Sequence, residues 1–283
     1  MMKRWVWMLS LALVTAAVSG CGAAEPPPTP TPSPTSNPAL ATVWPARGWA
    51  AVSLTYDDGV PTDFSVVGPA LRRHRLNGTF FAGGDSLTSL DHAPHWRELI
   101  NDGNEIGSHT MHHPCERAQT WVLPGFASED YTLERMQQEL QESIGLIRGL
   151  DYQGATLSFA YPCGIRWVGE QHVSYVPLVD ALFVAGRTCE WGVADPAAVS
   201  LAETPSFGVQ NVSGSDLIAH VHEAEASGGW TVLQFHGVGG DYITVSAEAH
   251  ETLLAYLDSH RASVWTAPFG AVAARLRTVR AGH

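Results

Sequence analysis

The sequence predicts a single α/β domain built on a parallel, barrel-like sheet, and three observations predict it. Short apolar runs recur along the chain, helical patterns alternate with them, and the stretch after the N-terminal segment, about 235 residues, suffices for one sizeable core. In order, the strand-like runs are 50–55, 79–82, 105–108, 156–161, 181–185, 231–235 and 263–266. The first, AAVSLT, is apolar and partly β-branched, and it runs into two carboxylates and a glycine. The run 231–235, TVLQF, ends in the same manner at a histidine. Between them, residues 130–149 carry Leu133, Met136, Leu140, Ile144 and Ile147 on one stripe. Residues 246–260 turn Leu253, Leu254 and Leu257 inward. No internal repeat interrupts this order.

The N-terminus reads differently. MMKRW is followed by an apolar stretch from Val6 to Val18 and by VSGC at Val18–Cys21. A positive start, a short hydrophobic run and small residues before a cysteine describe a secretory signal of the lipoprotein type, with cleavage before Cys21 and lipid on its sulfur. The run is too short for a stable span. Residues 1–20 are thus expected to be a signal peptide, 21–45 a lipidated cysteine and linker, and 46–283 the folded domain. EPPPTPTPSPTSNP (Glu25–Pro38) has no apolar periodicity, and its prolines hold it extended as a spacer. The expected location is extracytoplasmic, anchored by lipid to a bacterial envelope or secreted.

Chemistry concentrates at Asp57-Asp58-Gly59 and, roughly fifty residues on, at His109 and His113 in EIGSHTMHH. The aspartates by themselves read equally well as a turn, since Asp-Gly is an ordinary turn signal. A histidine pair at four-residue spacing is weak evidence by itself among 13 histidines. Together they are stronger: one carboxylate and two imidazoles suit a divalent cation of borderline softness, zinc before cobalt, nickel or manganese, with positions left open for water and substrate. The second carboxylate then stays available to take a proton from water. His112 is the alternative ligand to His113.

Four segments resemble the motifs of the polysaccharide deacetylases, and in that family's order. TYDDG is similar to its first motif, HTMHH to its second, FAYPCG (Phe159–Gly164) stands in place of the third, and LQFHG, with His236, in place of the last. The resemblance spans roughly residues 48–277 and implies a distorted (β/α) barrel. It makes Asp57 the general base, Asp58, His109 and His113 the metal ligands, and His236 the general acid. The implied substrate is an acetylated glycan, cut at an N-acetyl amide or an O-acetyl ester. The backbone N–H of Cys163 is expected to help stabilise the oxyanion.

Two departures from the family matter. The third motif commonly carries an arginine where Ala160 stands and an aromatic where Cys163 stands. Arg187, in ALFVAGRT, is the candidate for supplying that guanidinium from a neighbouring strand. The aspartate-rich fourth motif is not recognisable in RTCEWGVADP, so the imidazole of His236 lacks its usual carboxylate. Asp241 in HGVGGDY is favoured to hold it, with Asp195 as the alternative. These departures tilt the reading slightly toward an ester.

Cys21 is assigned to lipid, leaving Cys115, Cys163 and Cys189. Cys115 follows the histidine motif and Cys163 lies in the segment that should face it, so these two are expected to pair. Trp121, Trp167 and Trp191 sit in expected loops, where they could stack on sugars or simply pack. His220, His222 and His250 are expected on helix surfaces. The formal charge of −12 becomes −14 once Lys3 and Arg4 leave with the signal, which disfavours nucleic acid and polyanionic glycans as partners. A monomer is expected. The alternatives to an enzyme are a catalytically silent carbohydrate-binding lipoprotein and a metal scavenger.

Overall fold

The computed structural model describes residues 43–45 and 49–282. The expected signal peptide, the lipidated Cys21 and nearly all of the linker lie outside these residues. Among them no helix is long and apolar enough to cross a membrane.

The chain opens with strand β1 (Ala50–Asp58), then a π-helical turn (Asp63–Val67) leading into α1 (Gly68–Arg73). There follow β2 (Thr79–Ala82), α2 (Gly84–Thr88), α3 (Ala93–Asn101), β3 (Glu105–Ser108) and α4 (Leu133–Gly149). Beyond these come β4 (Phe159–Ala160), a hairpin of β5 (Trp167–Val168) and β6 (Val173–Ser174), α5 (Val176–Leu182) and β7 (Gly186–Arg187). The chain closes with β8 (Phe207–Gly208), α6 (Gly214–Ser227), β9 (Trp230–Phe235), α7 (Ala247–Ser259), β10 (Val264–Thr266) and α8 (Phe269–Ala281). The main sheet runs β7-β4-β3-β2-β1-β9-β8, and β10 pairs with the start of β1. Every pairing in it is parallel. Its edges approach one another where Thr188 N donates to the Thr204 carbonyl and Ser206 N to that of Glu190, each at 2.8 Å. The sheet therefore curls toward closure, as a distorted barrel.

Burial explains why β1 sits at the centre. Its residues Ala50 to Asp57 are all buried, because both faces are covered. On the helix side Tyr56 stacks between Phe80 and Phe235, with centroids at 5.0 and 5.3 Å. On α4 the side chains of Met136, Leu140 and Ile147 are buried on the expected stripe, each worth roughly 1.5–3 kcal/mol of burial. Thr132 caps this helix by accepting from Arg135 N.

Two expectations fail. The apolar run 181–185 is the end of α5 and a turn rather than a strand, and the strand begins at Gly186. An apolar run this short carries no period that separates strand from helix, and Pro177 in the first turn of α5 favours the helix. His250 is buried inside α7, its Nε2 2.8 Å from the Tyr56 hydroxyl, instead of lying on the surface. Strands β5, β6 and β8 were not foreseen, having only two residues each.

Candidate active site

The carboxyl ends of the parallel strands bring together the residues singled out by the motifs, where side chains project from several strands into one mouth. Asp57 and Asp58 end β1, His109 follows β3, Arg187 ends β7 and His236 follows β9. Asp58, His113 and Cys163 all hold positive φ, at 74°, 49° and 52°. Left-handed backbone costs an L-residue roughly 1 kcal/mol or more, and such residues cluster at functional sites. Gly59 completes the turn at φ 70°, and a Cβ there would collide with Ser86 and Trp96.

Asp57 is buried in a polar nest. Its Oδ2 accepts from Arg187 Nη2 at 2.6 Å and from Gln234 Nε2 at 3.0 Å. Arg187 stands opposite Ala160 in the β4–β7 register, so the small Ala160 side chain and the long Arg187 side chain are strand neighbours. Burial lowers the guanidinium below its usual value, against the opposing pull of Asp57. Asp57 Oδ1, Arg187 Nε and Nη1, and His236 Nδ1 are buried without a hydrogen-bond partner among the described residues. Four such atoms in one place are rare away from a ligand site.

Beside this nest, Asp58 Oδ1 lies 3.6 Å from His109 Nε2 and 3.7 Å from His113 Nε2. His109 Nδ1 donates to the Ala160 carbonyl at 2.8 Å, which leaves the Nε2 lone pair facing Asp58. Burial would raise Asp58, but the imidazoles of His113, His109 and His236 and the Tyr242 hydroxyl outweigh it and hold the carboxyl at about 2. Burial and then His109 hold His113 at about 4, so its imidazole is neutral at pH 7. The ligand atoms of Asp58, His109 and His113 lie within 4.8 Å of one another. One carboxylate oxygen and two imidazoles converging this closely fit a divalent cation.

His112 is turned away from this cluster. Its Nδ1 meets Glu139 Oε1 at 2.6 Å, while Glu139 Oε2 accepts from the backbone N–H groups of Met111 and His112 at 3.0 and 3.2 Å. Tyr131 also donates to Glu139. A buried glutamate on α4 thus pins the histidine loop, a role that no motif in the sequence signalled.

His236 Nε2 is 3.9 Å from Asp57 Oδ2 and from Asp58 Oδ2. Burial lowers its pKa, and the two carboxylates oppose that fall. Asp241 does not partner it: the carboxylate accepts from Thr62 N at 2.9 Å and shapes the loop. Asp195 caps its own turn, accepting from Ala197 N at 2.8 Å. The next residue after Asp241 is the one that reaches the site, for the Tyr242 hydroxyl donates to Asp58 Oδ2 at 2.7 Å. Gln234 and Tyr242 were missed from sequence; Gln234 lies two residues before His236 and so on the same strand face.

Cys115 and Cys163 form a disulfide. A cavity of about 670 Å³ is lined by Asp57, Asp58, His109, His113, Cys163 and His236. Trp121, Val122, Leu123 and Phe126 supply an apolar wall, with the Trp121 ring 5.6 Å from that of His113. Trp167 stacks on His172, and Trp191 packs edge-on against Phe207, so neither lines this cavity.

Residues 47–168 match the family described as polysaccharide deacetylase. Among curated proteins, gellan lyase of Bacillus sp is 23% identical over 260 residues, which cover 82% of this chain but 10% of that protein. The chain therefore spans only a small part of that relative. Among solved structures, a family 4 acetyl xylan esterase from Clostridium thermocellum, in complex with a cobalt ion, shares 17% identity. It superposes with a TM-score of 0.51 over 82% of this chain and 92% of its own. A mutant CE4 family pseudoenzyme of Bacillus anthracis with restored enzymatic activity gives 15% identity and a TM-score of 0.51, over 79% of this chain and 67% of that one. Residues 47–168 thus match the polysaccharide deacetylase family, and the curled parallel sheet is the fold that these solved structures share.

Proposed function

We propose that the chain is a cation-dependent hydrolase that removes acetyl groups from a glycan. The observation that carries this reading is the adjacency of two differently treated carboxylates. Asp57 is clasped by Arg187 and Gln234, while Asp58 faces two imidazoles. Asp58, His109 and His113 would hold the cation, zinc by preference. When bound, it supplies Lewis-acid polarisation of the acetyl carbonyl and makes water more acidic. Asp57 takes the proton of the attacking water, and Arg187 keeps its carboxylate aimed into the cavity. The Cys163 N–H donates to the oxyanion, and His236 delivers a proton to the departing group.

His236 Nδ1 has no acceptor among the described residues, so no carboxylate behind the ring orients the imidazole while it delivers a proton. An alkoxide needs less help to depart than an amine, which favours an O-acetyl ester over an N-acetyl amide. The wall of Trp121 and Phe126 suits the face of a sugar ring. Residues 1–20 would direct export and Cys21 would carry the lipid, setting the domain on the outer side of a bacterial membrane.

Acetate release from acetylxylan, N-acetylchitooligosaccharides and peptidoglycan, with zinc present and after chelation, tests this reading. The expected result is chelator-sensitive release, greatest from acetylxylan. Tight glycan binding with no release under any cation would instead identify a silent binding protein.

A further inference from the structure

The disulfide borders the cation cluster through a single residue. His113 points Nε2 at Asp58 Oδ1, 3.7 Å away, and Nδ1 at Cys115 Sγ, 3.5 Å away. The same ring therefore stands between two donor sets. One is Asp58 and His109; the other is the sulfur pair of Cys115 and Cys163, whose Sγ atoms lie within 4.8 Å of a His113 ring nitrogen. Cys115 is fully buried, but Cys163 lines the open cavity, so a small reductant reaches the bridge from there.

We propose that reduction of Cys115–Cys163 creates a second, thiophilic cation site from His113 Nδ1 and the two sulfurs, and that this site competes with Asp58 and His109 for His113. The inference takes His113 as a ligand in the reading above. Two electrons and two protons from a dithiol, itself oxidised to a disulfide, break the S–S bond and leave two thiols. A thiophilic cation then displaces both thiol protons to solvent and is held by two thiolates and an imidazole, a set that zinc accepts readily. The Cα atoms are 5.8 Å apart, so side-chain rotation alone can part the sulfurs around a shared ion. A neutral imidazole has one lone pair. Once His113 uses it at Nδ1, Nε2 carries the proton and the Asp58–His109 set loses a ligand. Reduction would thus move the cation away from Asp57 and His236 without unfolding the domain.

Cobalt(II), read by its absorption spectrum, tests this on the full chain with and without a phosphine reductant. The oxidised protein is expected to give a spectrum without sulfur character. Reduction should add an intense near-ultraviolet thiolate-to-cobalt band while bound cobalt stays at about one ion per chain. The band should be absent from reduced Cys115→Ser/Cys163→Ser, which also separates these sulfurs from Cys189. The inference is overturned by an unchanged spectrum on reduction, by a band that persists in the double variant, or by loss of the far-ultraviolet circular dichroism on reduction. Alkylation of Cys115 and Cys163 without reductant would overturn it equally. Failure of the deacetylase reading looks different: the oxidised protein would take up no cobalt at all.

Discussion

Arg187 donates to Asp57 Oδ2 at 2.6 Å from a strand that lies beside Ala160, so the guanidinium reaches the carboxylate across the β4–β7 register. Both side chains are buried, and removing one partner of such a pair leaves an uncompensated charge. Arg187→Met is therefore expected to lose about 3–5 kcal/mol of stability. Acetate release should fall with it. Denaturant titration and initial rates on the same preparation check this, and a variant of unchanged stability would contradict it.

Glu139 acts on the cation cluster at one remove. Its carboxylate holds the Met111 and His112 N–H groups and the His112 ring, and so fixes the loop that carries His113. Partners of this kind typically change metal affinity by roughly 10–100-fold. Glu139→Gln should weaken zinc binding in that range by calorimetry, and excess zinc should restore most of the activity.

Burial holds His250 at about 4, below its ordinary 6.5. Between these values the unfolded chain takes up a proton that the folded chain refuses. The contribution of His250 to stability is whole above pH 6.5 and is lost as the pH falls through that window, amounting to roughly 3 kcal/mol. Thermal melts from pH 7.5 to 4.5 should show a shallower decline in His250→Gln than in the parent. Parallel curves would refute the assignment.

The exposed ring of Trp121 lies 5.6 Å from that of His113. If it receives a sugar ring, Trp121→Ala should raise KM by roughly threefold to tenfold with kcat little changed. Steady-state kinetics on a glycan and on a small acetyl ester separates the two cases, since the small ester should not notice the change.

The sequence made the cluster legible because Asp57, Asp58, His109 and His236 each end an apolar run, and the ends of buried parallel strands share one face. Arg187 was reachable by the same logic, although the strand that carries it begins later than its apolar run. What escaped lay outside that grammar. Glu139 sits on a helix whose stripe of Met136, Leu140 and Ile147 hides a single inward acid among outward ones. His250 falls in step with Leu253, Leu254 and Leu257, yet its polar character argued for the surface until Tyr56 supplied a partner. Asp241 and Tyr242 are adjacent in a loop with no period, so nothing local told which of them would turn toward the site. Two-residue strands such as β8 carry too few side chains to show alternation.

The division of labour between the two adjacent aspartates is tested most directly by acetate release per bound zinc in Asp57→Asn. The account predicts zinc binding close to that of the parent, since Asp58, His109 and His113 are untouched, with turnover lower by roughly 100-fold or more. Turnover at the parental rate with zinc bound would contradict it.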